Sequence, residues 1–266
     1  MNTPDKPQAA ANPANDRAKP VVNRISISDV TDALRNGVSD FFRAPLLGLF
    51  FGGFFALGGL AILYILRELH QPWLILPIAI GFPLVGPFVA VGTYETSRRL
   101  AAGEKRDWGA ILGVVFRQRE RELAWMAFVV LFVFWVWLYQ IRLLTALFLG
   151  FKSMSSIDAF ISVVLSTSSG INYLIIGTII GAILAIILFA TTVVSIPLLM
   201  ERELDFVTAI ITSVRSVMEN PVAMLFFGFC VSVLAMAAMI PAFLGLFIVF
   251  PILGHATWHL YKRVIS

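Results

Sequence analysis

The sequence predicts an all-α membrane protein with about six transmembrane helices in three hairpins. Each hairpin is preceded by an amphipathic helix lying on the cytoplasmic membrane surface. Three observations lead there. Hydrophobic residues make up 59% of the chain and charged residues 14%, whereas a soluble domain is about half apolar and a quarter charged. Six apolar runs approach the roughly 20 residues that cross a bilayer; they lie near 46–66, 73–94, 123–141, 171–199, 222–240 and 242–261. Finally, part of the chain repeats. Pro77-x3-Gly81-x5-Pro87-x5-Thr93-Tyr94-x3-Arg98-Arg99 returns 164 residues later as Pro241-x3-Gly245-x5-Pro251-x5-Thr257-Trp258-x3-Lys262-Arg263. Upstream, Ala33…Pro45-x4-Phe50-Phe51-Gly52 returns 176 residues later as Ala209…Pro221-x4-Phe226-Phe227-Gly228.

In order, residues 1–24 read as a disordered cytoplasmic tail, being Pro- and Asn-rich with no apolar core of a signal peptide. Residues 25–266 read as one membrane domain of three units, about 27–100, 105–200 and 203–266. Amphipathic stretches open the units at 29–43, 107–121 and 205–219. Their apolar faces follow the helical rhythm: Val30, Leu34, Val38, Phe41 and Phe42; Trp108, Ile111, Leu112 and Val115; Phe206, Ala209, Ile210, Ser213, Val214 and Val217. Asp29, Asp107 and Asp205 are placed as N-caps. Pro45 and Pro221 restart the chain as membrane helices. Units one and three enter from the same face, which makes them parallel repeats related by an axis along the membrane normal. The segment 142–170 reads as a surface-lying external loop with a short helix, or as a re-entrant segment. Gly48-x3-Gly52 and Gly177-x3-Gly181 have the spacing that lets membrane helices approach closely.

Charge fixes the expected topology. With both termini cytoplasmic, 17 of the 20 Lys and Arg lie on that side; only Arg67, Arg142 and Lys152 face outward. The net charge of +4 then reflects membrane orientation and anionic lipid, not nucleic acid. Cys230 is the only cysteine, so an internal disulfide is excluded.

Candidate chemistry is sparse. His255 and His259 share one face of the last span, a spacing that suits a hydrogen-bonded pair, a proton-linked or metal site, or a haem ligand. His70 lies in the first external turn, on the other side of the membrane. Glu95 and His259 occupy equivalent repeat positions and would meet if spans two and six were neighbours. Ionisable residues near a membrane interior are functional suspects, so Glu95, His255 and His259 are the candidate substrate-binding residues. Pro77, Pro87, Pro241 and Pro251 are candidate kinks or hinges. The run Glu201, Arg202, Glu203 and Asp205 reads as a structural lock of ion pairs. No nucleotide-binding, zinc or nucleophile-elbow motif occurs; no catalytic residue, metal or cofactor is expected.

The Pro77–Arg99 motif, Ile-Pro-Leu-Leu-Met-Glu-Arg-Glu-Leu-Asp-Phe-Val-Thr-Ala at 196–209 and Asn220-Pro221 resemble a proteobacterial family of predicted integral membrane proteins, a domain of unknown function. The resemblance extends over about 30–264. It implies an inner-membrane protein of about six spans and supplies no site residues. Some relatives carry an oxidase-subunit label, but the three histidines here are fewer than a haem–copper centre uses. The expected function is a non-enzymatic accessory or assembly component of a membrane complex. The expected partners are the bilayer and another membrane complex, or a second copy of the chain. The alternatives are a channel or small-solute transporter with its site between the repeats, and a redox-complex subunit.

Overall fold

A computed structural model of the protein describes residues 20–69, 75–118, 122–150 and 157–266. These are helical almost throughout. The elements are α1 (Ile27–Arg43), α2 (Pro45–Tyr64), α3 (Ile75–Ala102), α4 (Trp108–Arg117), α5 (Leu123–Leu149), α6 (Ile157–Ser166), α7 (Ser168–Thr192), α8 (Ser195–Glu201), α9 (Phe206–Glu219), α10 (Pro221–Met239) and α11 (Leu246–Val264). Four stretches among the described residues are long and apolar enough to span a membrane: α2, α5, α7 with α8, and α10. α3 and α11 are continuous helices of 28 and 19 residues. Both carry charge only toward their C-terminal ends: Glu95, Arg98 and Arg99 on α3, Lys262 and Arg263 on α11.

Local chemistry explains the helix boundaries. Pro45 and Pro221 each take the first turn of their helix, where the missing N–H has no intrahelical role. Asp107 and Asp205 cap α4 and α9 through the amides of Ala110 and Thr208, both at 2.8 Å. The first amphipathic helix departs from expectation. Its N-cap is Ser26, and Asp29 sits three residues on, completing a capping box. A Ser-x-x-Asp pair satisfies two orphan backbone donors where an Asp cap alone satisfies one. The long fourth run bends at Val193–Val194, where the freed Val194 amide donates to Ser213 Oγ of α9 at 3.1 Å.

The expected loop over 142–170 is largely helical. α5 continues past 141 to Leu149, and α6 packs on the start of α7. Gly170 permits that contact, since a Cβ there would lie 2.4 Å from the Val164 carbonyl. Of the tail expected over 1–24, residues 20–24 are ordered. Val22 forms an antiparallel bridge with Ile265, and the Asn23 amide donates to the Val264 carbonyl at 2.8 Å. Asn220 secures this segment from α9's end: its Oδ1 accepts from the Ile25 amide at 2.8 Å and its Nδ2 donates to the Asn23 carbonyl at 3.0 Å. His70 and Trp73 lie outside the described residues, as does Lys152.

α11 is the hub. It packs on α1, α2 and α3, and also touches α8 and α10. The contacts are close because glycines stand at the crossings. A Cβ on Gly37 of α1 would lie 2.6 Å from the Ile252 carbonyl and 2.7 Å from the Ala256 amide. One on Gly52 of α2 would lie 2.5 Å from the Phe247 carbonyl. That carbonyl is the one deprived of its helical partner by Pro251, four residues on, because proline has no N–H. Gly52 thus lets α2 come close to the bare carbonyl at a kink-prone point of α11. The three amphipathic helices dock differently: α4 and α9 on the helices that precede them, α3 and α7 with α8, and α1 on α11.

Candidate functional site

The densest polar cluster lies at the end of the molecule that carries both described chain ends. It is assembled from α1, α3 and α11. Asp40 is buried on α1, and its Oδ2 is 2.7 Å from His259 Nε2 on α11. One turn earlier on α11, His255 is fully buried, with Nδ1 2.8 Å from Ser97 Oγ on α3. Ser97 lies near enough to Asp40 to favour its charged form. His259, Asp40, Ser97 and His255 thus form one polar chain across three helices. Burial alone would raise the Asp40 pKa. Hydrogen bonds from His259 and Ser97, with the attraction of both histidines, outweigh it and hold the carboxyl below its usual range.

The far end of the chain is incomplete. His255 Nε2 is buried without a hydrogen-bond partner among the described residues. Whichever tautomer Ser97 selects, one ring nitrogen is left unsatisfied, at a cost of about 1–3 kcal/mol. Packing holds the ring there. The neighbouring Gly254 lies so close to α3 that a Cβ would come within 2.3 Å of Thr93 Oγ1.

Glu95 does not meet His259, although α3 and α11 are neighbours. Tyr94 and Trp258, equivalent positions of the two motifs, stack with centroids 6.4 Å apart. Glu95 instead turns along its own helix and is clamped by two arginines. Arg98 Nε and Nη2 donate to its two oxygens at 2.7 and 2.9 Å, and Arg99 Nε donates at 2.6 Å. Arg98 continues to Glu104, at 3.0 Å from both oxygens. The sequence placed Glu95 and His259 at matching positions, but local arginines at i+3 and i+4 compete better for the carboxylate.

The lock of ion pairs expected over 201–205 is met in part, by Glu201. Glu201 accepts from Tyr261 Oη at 2.5 Å and from Lys262 Nζ at 2.8 Å. Asp205 caps α9. Arg263 pairs with Asp29 at 2.7 Å and Asp32 at 3.4 Å, fastening α11 to the start of α1. Of the four prolines, Pro77 and Pro87 fall within α3 and Pro251 within α11. Pro241 lies instead in the turn between α10 and α11, followed by Ala242 and Phe243 with positive φ of 50° and 66°.

Above the polar chain, α2, α3, α10 and α11 enclose a cavity of about 220 Å³. Its walls include Val89, Ala90 and Thr93 of α3, with Leu253, Gly254 and Thr257 at the corresponding positions of α11. Both threonine hydroxyls donate to their own helix, to the Ala90 and Leu253 carbonyls, so the space offers acceptor lone pairs in an otherwise apolar lining. Among the described residues no three His, Cys, Asp or Glu side chains converge as a metal site. Sequence reasoning missed Asp40 and Ser97. Asp40 looked like an ordinary surface residue of an amphipathic helix, and its partner is 219 residues away.

Four stretches long and apolar enough to cross a bilayer make this the fold of a helical integral membrane protein. Residues 75–201, from α3 to α8, match the model of a family described as a predicted integral membrane protein, DUF2189, a domain of unknown function. The matched segment is shorter than the 30–264 read from the motifs. No curated protein and no solved structure matches the chain.

Proposed function

We propose that the chain is a non-enzymatic protein of the bacterial inner membrane that acts by association with another membrane protein. Its six helical spans, α3 and α11 included, form three hairpins with both termini in the cytoplasm. The charged ends of α1, α8 and α11 bond to one another at one end of the molecule, which supports this topology. The packing of α4 on α3 and of α9 on α7 and α8, each on the preceding helix, supports a repeated plan.

The observation that carries the functional reading is an imbalance in packing. In α2, 39% of the spanning window is buried inside the protein; in α5 the share is 11%, and in α7 none. The α5–α7 hairpin therefore offers two nearly unused helix faces, while Glu95 and Asp40 are consumed by internal bonds. Ser97, whose hydroxyl lies beside His255, is fully buried within the polar chain, so it does not serve as an exposed nucleophile. Purification of the full chain in mild detergent, followed by mass spectrometry, tests this. A stoichiometric membrane partner lost on substituting outward α7 residues fits the proposal. A homogeneous protein with no partner opposes it.

The cavity between α3 and α11 favours a second reading, a small-solute transporter with its site between the repeats. It requires Thr93→Val or Thr257→Val, in the cavity wall, to abolish flux in reconstituted vesicles without lowering expression. Unchanged flux removes those residues from any transport site.

A further inference from the structure

A cleft of about 320 Å³ opens at the charged end, between the α1–α2 junction and the α3–α4 loop; Arg43, Leu100, Gly103, Glu104 and Arg106 line it. The two arginines are exposed, and Arg106 is held in place by donating through Nη1 to the backbone carbonyl of Arg43. Glu104 is the only acidic side chain in the lining, and it is already occupied by Arg98 and Arg99. The hydrogen bond from Arg98 holds its carboxyl below the usual range. Within the group Glu95, Arg98, Arg99 and Glu104 the charges cancel. Asp40, the remaining neighbour, is bonded to His259 and lies 3.8 Å from Arg43. Arg43 therefore shares the Asp40 carboxylate with His259 through a long ion pair, while Arg106 has no acidic ion-pair partner among the described residues, so the cleft keeps positive charge.

Beside the cleft stands an apolar wall. Phe42, Leu46, Phe50 and Trp108 are 70%, 71%, 41% and 40% exposed. The last two meet edge to face, with centroids 5.3 Å apart, which bridges α2 to α4. Gly103, at φ 66°, turns the chain here, and a Cβ at that position would meet nothing within 4 Å. Two guanidiniums at the end of a membrane helix, next to lipid-facing aromatic rings, match an amphiphile with an anionic head and hydrocarbon tails.

We propose that this cleft binds the phosphate headgroup of an anionic phospholipid, with Arg43 and Arg106 on the phosphate and the acyl chains along Phe42, Leu46, Phe50 and Trp108. Each basic residue near an anionic membrane surface contributes roughly fivefold to association. Removing both should weaken it roughly 30-fold.

Native mass spectrometry of the full chain in detergent tests this, with phosphatidylglycerol and phosphatidylcholine of identical acyl chains as probes. Wild type should retain phosphatidylglycerol selectively. The R43Q/R106Q double variant should lose that preference, R43K/R106K should keep part of it, and R215Q, an exposed arginine elsewhere, should match wild type. Thermal unfolding of each variant without added lipid establishes that the fold is intact. Equal retention of phosphatidylglycerol by R43Q/R106Q would overturn the proposal, as would equal retention of phosphatidylcholine by wild type. Displacement of the lipid by millimolar inorganic phosphate would show a free-anion site and overturn the lipid assignment.

Discussion

The α2–α11 crossing and the α5–α7 crossing carry the same small-residue spacing and pack differently. Gly52 lies directly against α11, with no room for a Cβ beside the Phe247 carbonyl. A Cβ on Gly177 would stop 3.6 Å from Leu144, and one on Gly181 would stop 3.9 Å from the Trp137 ring. The spacing permits close approach, but the facing residues decide it. Opposite Gly52 stands backbone freed by a proline. Opposite Gly177 and Gly181 stand Leu144 and Trp137, large side chains that hold α5 away and leave a groove of about 250 Å³. One region of the molecule is therefore locked by backbone contact and buried charge. The other is held by side-chain contact alone.

The largest expected effect comes from filling the tight crossing. Gly37→Leu or Gly52→Leu drives a side chain into α11 backbone, and we expect a loss of more than about 4 kcal/mol, or no folded protein. Detergent-solubilised yield and thermal unfolding report it. Wild-type-like melting of both variants would mean that α1 and α2 do not sit on α11 as described.

Next comes the buried polar chain. Asp40→Ala should cost about 3 kcal/mol, because it leaves His259 and Ser97 without their acceptor. Its pH dependence has a definite sign. The Asp40 carboxyl has a lower pKa folded than unfolded. Its contribution is therefore complete above the unfolded value of about 4 and disappears as pH falls through the folded value. The gap in unfolding temperature between wild type and Asp40→Asn should be widest near neutrality and shrink as pH falls below about 4. A gap independent of pH would refute the ionised state assigned to Asp40.

A smaller effect is expected at the chain termini. Asn220→Ala removes the side chain that holds residues 23–25, at about 2 kcal/mol. Amide exchange at Asn23 and Ile25 should speed up while the core of α11 stays protected. In the loose region, Gly177→Ala should be neutral or stabilising by up to about 1 kcal/mol, through reduced unfolded-state entropy. A penalty as large as that at Gly52 would erase the contrast between the two crossings.

Helix starts were legible wherever a local rule sufficed. Pro45, Pro221, Asp107 and Asp205 act where their sequence positions put them, since capping depends on residues within one turn. The buried faces were less legible. Val38 and Phe42 belong to the apolar stripe read for α1, yet they are 40% and 70% exposed, and Ala33, Gly37 and Asp40 take the inner positions instead. In a membrane the outer surface is itself apolar, so hydrophobicity no longer distinguishes inside from outside; small size does. The site was hidden for a related reason. Glu95 and the histidines stood out as ionisable residues in apolar runs, but their partners are chosen by tertiary packing. His259 reaches Asp40 only because α1 docks on α11, and nothing in either segment alone encodes that contact.

The most direct test of the association account is photo-crosslinking in living cells from single positions on the two kinds of surface. Probes at Ile179 and Ile183 on α7 and at Leu57 on α2, all outward-facing, sample the unused hairpin and the packed core. The account predicts one discrete protein adduct from the α7 positions and none from Leu57. Adducts to lipid alone at all three positions would contradict it.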